Sequence, residues 1–243
     1  MSGRKQNRVK RASRKRAQSK RARNSLRSVA VSTIENNVIP SLRTPSKALG
    51  PLRNKQKVTL VYSEPFAIDA STSASSRVYA MNGLFQPNLG VSAGQPRGWD
   101  ELMTMYTSAV VIGARATVTY ANSSTSVAQN LTLSIRDTAT AVTNRNDVME
   151  YRYIKHAVLG QIDAGSSTGS LDISVNPNKF LGVSSPLSSG LVKNTVATNP
   201  TSTVLLHVNR SAQNASADPG PVYCVVRIEY DVILLEPKQP AAS

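Results

Sequence analysis

From Val58 to Leu234 the chain repeatedly alternates apolar and polar residues with a period of two, and only extended strands with one face on a core satisfy that pattern. Val58, Leu60 and Tyr62 alternate with Thr59 and Ser63; Ala114, Ala116, Val118 and Tyr120 with Arg115, Thr117 and Thr119. Leu131, Leu133 and Ile135 face away from Thr132, Ser134 and Arg136, and Leu171, Ile173 and Val175 from Asp172 and Ser174. The longest run sets Cys224, Val226, Ile228, Tyr230, Val232 and Leu234 against Arg227, Glu229 and Asp231. Less regular apolar runs at 76–85, 152–162 and 201–210 bring the expected number of strands to about eight, divided by polar loops such as 163–170 and 211–221. Two stretches break the period. Trp99, Leu102, Met103 and Tyr106 follow helical spacing just after Pro96 and Gly98. A further helical turn is expected at 144–151, with Asn144 or Asn146 as N-cap and Val148 facing inward. The fold class that follows is all-β: an eight-stranded antiparallel jelly-roll sandwich with one or two short helical insertions. An immunoglobulin-type sandwich would want paired cysteines, and the chain has one, Cys224.

Charge divides the chain in a second way. Residues 1–57 hold 17 Lys and Arg against a single acid, Glu35, a net of +16; the remaining residues hold 12 basic and 13 acidic groups, a net of −1. Twelve of the cations fall within residues 4–27: Arg4, Lys5, Arg8, Lys10, Arg11, Arg14, Lys15, Arg16, Lys20, Arg21, Arg23 and Arg27. No aromatic or acidic residue separates them, so the segment repels itself and has almost nothing to bury. It is expected to be a disordered arm whose partner is a polyanion, bound by counterion release and, without aromatics to stack on, without base preference. A nuclear import signal or a ribosomal or chromatin tail would use similar residues, but twelve charges are more than import requires. Residues 28–57 read as a linker along the inner surface of an assembly, with a short helix from Val29 to Ile39 stopped by Pro40. Residues 58–243 are the folded domain, ending in a short tail from Pro237; no separate projecting domain is expected after Leu235.

Other classes find little support. One cysteine makes no disulfide framework, and no group of residues has metal-ligand spacing. No run of about 18 apolar residues suggests a membrane span. The sequons at Asn122, Asn130, Asn209 and Asn214 are expected by chance in a chain this rich in Ser, Thr and Asn. Two histidines, His156 and His207, with Cys224 are a thin basis for nucleophilic catalysis, and no enzyme is expected.

The middle of the chain carries a more specific pattern. Met81-Asn82-Gly83-Leu84-Phe85-Gln86-Pro87-Asn88 is followed by Gly94-Gln95-Pro96-Arg97-Gly98-Trp99-Asp100-Glu101-Leu102, then Tyr106 and Val110-Val111-Ile112-Gly113-Ala114-Arg115. This resembles capsid proteins of small circular Rep-encoding single-stranded DNA viruses, those similar to tombusvirus and nodavirus coat proteins. In that pattern a strand ends at N-G-L-[YF]-[DQ]-P, a Q-P-x-G-[FW]-D-x-L segment leads into a helix, and V-x-G-[AS]-[KR] opens the next strand. The family often has histidine where this chain has Gly94. The resemblance is dense over residues 79–120. It implies a jelly roll, icosahedral self-assembly and packaging of a single-stranded genome by the arm, in the virion and, during assembly, the host nucleus. It makes Asn82, Gly83, Leu84, Gln95, Pro96, Gly98, Trp99, Asp100, Tyr106 and Gly113 framework residues rather than a ligand site. In that role the glycines at 83, 94 and 98 would permit turns, and Trp99 with Tyr106 would plug one end of the sandwich.

The coat protein of a small positive-strand RNA plant virus would share the same arm and fold. A cellular nucleic-acid chaperone with a basic tail would instead need a basic face on the body, and a carbohydrate-binding jelly roll would leave the arm without a role. No cofactor is expected; calcium between subunits, on Asp100, Glu101, Asp163 or Asp172, is a secondary expectation. About 60 copies, with about 17 arm charges each, would carry roughly 1,000 positive charges, which suits a genome of a few thousand nucleotides better than about 180 copies would.

Overall fold

A computed structural model of the chain describes residues 52–69, 74–90, 94–142, 144–213, 218 and 220–238. The basic arm, the expected helix at 29–39 and the last five residues lie outside these. Nine strands are described: β1 (Lys55–Ile68), β2 (Ser75–Ala80), β3 (Tyr106–Asn122), β4 (Gln129–Arg136), β5 (Ile154–Leu159), β6 (Thr168–Val175), β7 (Lys193–Asn194), β8 (Leu205–Ala212) and β9 (Val222–Pro237). One sheet has the order β1-β9-β3-β6, with the two-residue β7 paired to the start of β3; the other has the order β2-β8-β4-β5.

The pairings explain the order. β4 pairs with β5, β3 with β6, β2 with β8 and β1 with β9, all antiparallel, so the chain is a long ribbon of nested pairs centred on the β4–β5 connection. Two further pairings, β9 with β3 and β8 with β4, join the coils of that ribbon into two facing sheets. This is the jelly-roll winding, and it follows from register alone.

β9 lies between β1 and β3 and pairs along almost its whole length with each. Its inward residues Cys224, Val226, Ile228, Tyr230, Val232 and Leu234 form the spine of the core. Leu131, Leu133, Ile135, Leu206 and Val208 face them from the second sheet. The alternation read from the sequence therefore marks the inner face. The fully buried Tyr230 also ties the layers together, its hydroxyl donating to the Ala80 carbonyl at the end of β2 at 2.8 Å.

Three helices are short. α1 (Trp99–Met105) and α2 (Arg145–Met149) lie where they were expected, except that Tyr106, read into the first helix, is extended and opens β3; Asn144 caps α2 by accepting from the Asn146 amide. α3 (Pro177–Phe180) has no helical spacing to announce it; Pro177 stands in its first turn and Asn176 caps it. None of the described helices is long and apolar enough to cross a membrane.

Several boundaries differ from the sequence reading. The apolar run at 76–85 is strand only to Ala80, because Asn82 to Pro87 turns across the end of the sandwich. The strand expected over 152–162 is confined to Ile154–Leu159. The expected loops at 163–170 and 211–221 each give residues to strands, to β6 from Thr168 and to β8 up to Ala212. The glycine of V-x-G-A-R does not open a strand: β3 begins at Tyr106, and Gly113 sits at a register shift within it. Alternation fails in that first half of β3 because both faces are covered. Val110 packs on the outer side with Val192 and Leu235, under Leu181, Val183 and Leu187 from the stretch that follows α3.

Tyr230→Phe leaves the Ala80 carbonyl without its donor and should lower unfolding stability by about 1–3 kcal/mol in denaturant titration, with the sheet content unchanged by circular dichroism.

Candidate functional site

The motif residues, apart from Gly113 beside Asp231 within β3, converge on one end of the sandwich. Asn82, only 2% exposed, is held from three sides: its Nδ2 donates to the Ser202 carbonyl at 2.8 Å, its Oδ1 accepts from the Val204 amide at 2.9 Å, and its carbonyl accepts from Asn194 Nδ2 at 3.0 Å. Asn194 Oδ1 accepts from the Leu84 amide at 2.8 Å. Asn199 closes the turn, with Oδ1 accepting from the Phe85 and Gln86 amides and Nδ2 donating to the Gln86 carbonyl. Three asparagine side chains thus replace the ladder bonds that the turn at 82–87 lacks. Asn194 and Asn199 were not legible as partners, because they lie more than a hundred residues downstream, in the two-residue β7 and in the polar loop that follows it.

Gly83 has a different role from the turn glycine expected. Its φ is not positive; a Cβ there would lie 2.8 Å from both Ala80 Cβ and the Asn199 amide, so the residue is a close approach. Gly94 and Gly98 do adopt left-handed backbone, at φ 102° and 84°. Gly98 is the N-cap of α1 and makes no side-chain cap, so the acids Asp100 and Glu101 in the first turn meet the helix dipole instead. The Gln95 amide, with its nitrogen toward Asp100, donates to both carboxylate oxygens at 2.8 and 3.0 Å. Trp99, Tyr106 and Leu84 are fully buried, Pro96 is buried, and Tyr106 reaches Gln56 Oε1 at 2.9 Å.

The outer face of the β1-β9-β3-β6 sheet is graded. One end is covered by the stretch after α3. The middle carries paired charges: Asp231 with Lys57 and Thr59, Glu229 with Arg227, and Asp172 with Arg115 and Thr117. The hydrogen bond from Thr117 holds the Asp172 carboxyl below the usual carboxylate range; burial opposes it, and Arg115 adds to the lowering through its charge and a hydrogen bond. The far end is apolar and open, with Tyr223 57% and Val225 42% exposed beside Pro65 and Ala67.

The other sheet is covered on its outside. Every residue of β8 is buried, including the outward His207, Asn209 and Ser211. The polar residues Thr132 and Ser134 of β4, expected on a wet face, are buried too. The connection between β4 and β5, residues 137–153, supplies the cover: His207 Nε2 lies 2.8 Å from the Thr138 carbonyl, and Met149 rests over Thr132. With Nε2–H donating to Thr138, the buried Nδ1 of His207 has no partner among the described residues. Burial lowers the His207 pKa below its ordinary value of 6.5, the Thr138 bond opposes this, and Arg136 adds to it.

The candidate chemical groups are not brought together. Cys224 points into the core from β9 and burial pushes its thiol up to about 12, whereas His207 lies on the outer side of the opposite sheet and His156 is exposed. Cys224 is therefore not paired with either histidine: strand alternation turns its thiol into the core and both imidazoles away from it. Asp100 and Glu101 sit on α1, Asp163 in the turn after β5 and Asp172 on β6; among the described residues no three acids, histidines or cysteines cluster as a metal site. The sequon asparagines 122, 130 and 209 are 2%, 4% and 3% exposed and so are closed to glycan attachment in the folded chain; Asn214 lies outside the described residues. The twelve arm cations, from Arg4 to Arg27, also lie outside them.

The fold defined by these strands is that of the jelly rolls. No family model matches the chain, and no curated protein does. Among solved structures it is similar to a chain of Desmodium yellow mottle tymovirus, with 17% identity and a TM-score of 0.41 over 79% of this chain and 95% of that one. A tobacco necrosis virus chain gives 12% identity and a TM-score of 0.44 over 77% and 85%; the decameric BFDV capsid protein gives 9% and 0.42 over 75% and 99%. The jelly-roll assignment rests on the strand order, not on these scores.

Gly83→Ala should force Asn199 away from the turn and cost about 1–3 kcal/mol, read as a lower denaturation midpoint. A second outcome follows from His207. A folded-state pKa below the unfolded value means that its neutral form stabilises the fold above pH 6.5, and that this stability is lost as pH falls from 6.5 through the lower folded value. Hydrogen exchange over residues 137–153 should accelerate in that window, and His207→Gln, which keeps a donor for Thr138 but cannot charge, should remove the step.

Proposed function

We propose that the chain is a viral capsid protein whose jelly-roll domain self-assembles into an icosahedral shell and whose basic N-terminal arm packages a single-stranded genome. One observation carries this reading: nearly all the excess charge, +16, is confined to residues 1–57, and the β-sandwich is attached to it with a net charge near zero. A charged arm gives non-specific affinity for a nucleic acid. A near-neutral body can crowd against copies of itself without the repulsion a uniformly basic protein would meet.

Two further features support assembly. The exposed patch around Tyr223 and Val225 is an apolar surface that a neighbouring copy would withdraw from water. The asparagine-clamped turn and α1 make the motif end of the sandwich a firm edge, suited to repeated contacts of fixed geometry. The resemblance of residues 79–120 favours a DNA genome, and the charge carried per copy favours about 60 subunits. Nuclear import would be a separable use of the same arm.

The full chain and a version lacking residues 1–27 should both form shells in electron microscopy, with nucleic acid recovered only from the first. Binding of the full chain to single strands should weaken with salt along a log–log slope of roughly −8 if all twelve arm cations engage phosphates. A full-length chain that remains monomeric at every salt and pH, or a truncated shell carrying as much nucleic acid, would overturn the proposal.

A further inference from the structure

β5 and β6 are the outermost strands of their sheets, β5 paired with β4 and β6 with β3, and their free edges lie side by side. Between them runs an open groove of about 500 Å³, lined by Arg115 of β3, Asp172 and Ser174 of β6, and Arg152, Tyr153 and Lys155 where β5 begins. That volume is in the range of small-ligand sites.

Three cations face one carboxylate here, in a domain whose net charge is −1. The carboxylate, Asp172, is already engaged by Arg115 at 3.4 Å and by the Thr117 hydroxyl. Arg152 and Lys155 are exposed and have no ion-pair partner among the described residues. Glu150, the acid nearest to them in sequence, does not line the groove. Between the two cations stands an aromatic ring. Tyr153 is 42% exposed, makes a T-shaped contact with Phe180 of α3 at 5.5 Å between centroids, and has the Arg152 guanidinium 5.6 Å from its own centroid. The Phe180 contact fixes the plane of the ring, whereas Arg152 has a long flexible stem and can turn from the ring toward an anion.

Unpaired cations on either side of a wet aromatic ring are complementary to a chain that alternates phosphates with flat bases. A sulfated glycan would satisfy the cations but brings no π face, and a duplex keeps its bases stacked inside. We propose that the β5–β6 edge is a second nucleic-acid contact, made by the folded domain, in which one base of a single strand stacks on Tyr153 while Arg152 and Lys155 meet the flanking phosphates. It rests on the packaging reading and adds to it a part for the bases, which an arm without aromatics cannot play.

Fluorescence anisotropy on the full chain, with a labelled thymidine tetranucleotide and an abasic tetranucleotide of equal charge, separates the two contacts. The arm reads phosphate alone and binds both alike. Stacking on Tyr153 should make the thymidine tetranucleotide bind roughly five- to a hundredfold more tightly. Tyr153→Ala should abolish that preference and Tyr153→Phe should keep it. Because Tyr153→Ala also removes the contact with Phe180, a second variant leaves the ring in place: Arg152→Gln with Lys155→Gln should flatten the log–log salt slope by about 1.4, two phosphates at about 0.7 each. Equal binding of the two oligonucleotides, a preference that survives Tyr153→Ala, or an unchanged slope overturns the groove and leaves the arm standing. Failure of both oligonucleotides to bind overturns the two together. Tyr153-dependent binding of a sulfated tetrasaccharide, with no preference between the oligonucleotides, would assign the groove to a glycan and overturn the proposal.

Discussion

β9 is hydrogen-bonded on both sides, to β1 and to β3, and its inward side chains are the spine against which the second sheet packs. Without it β1 would have no partner and β3 would keep only β6 and β7. The nested ribbon therefore depends on a strand that pairs with residues some 180 positions earlier in the chain, as Lys55 with Leu235. Closing such long loops carries an entropy cost that grows slowly with length. It is offset only when the two long registers and the apolar spine form together, so partial pairing of β9 gains little and the sheet behaves cooperatively.

That dependence explains what could be read in advance. Strands with one face in the core and one in water show their period openly, as β9 and the second half of β3 do. α1 was equally plain because Trp99, Leu102 and Met103 fall on one helical face. Where a second layer covers a sheet, the rule fails: Thr132, Ser134, Asn209 and Ser211 look like solvent-facing residues and are buried under residues 137–153. α3 is too short to have a period, and Asn194 and Asn199 act through contacts that only the folded chain creates. The motif end of the sandwich was legible by resemblance, but the reason for Gly83, a close approach to Asn199, was not.

Electrostatics and packing are separated to an unusual degree. On the outer face of the β1-β9-β3-β6 sheet, Asp231, Glu229 and Asp172 are each paired across or along strands. Such exposed pairs add little stability. What they do is hold the sheet surface near neutrality, leaving Tyr223 and Val225 as an apolar feature and the arm as the only concentrated field. The buried His207 is the exception on the covered face, a group kept neutral by burial whose charging would strain the layer above it.

The nested winding also imposes an order in time. The partner of the first strand is the last, so a ribosome must make nearly the whole chain before the sandwich can close. At roughly 5–20 residues per second, residue 27 leaves the site of synthesis roughly 10–40 s before residue 237. For that interval the cationic stretch exists attached to a body that cannot yet fold, in a cell crowded with RNA. The near-neutral charge of residues 58–243 means that the late-folding part has little tendency to be drawn into whatever polyanion its leading end has already met.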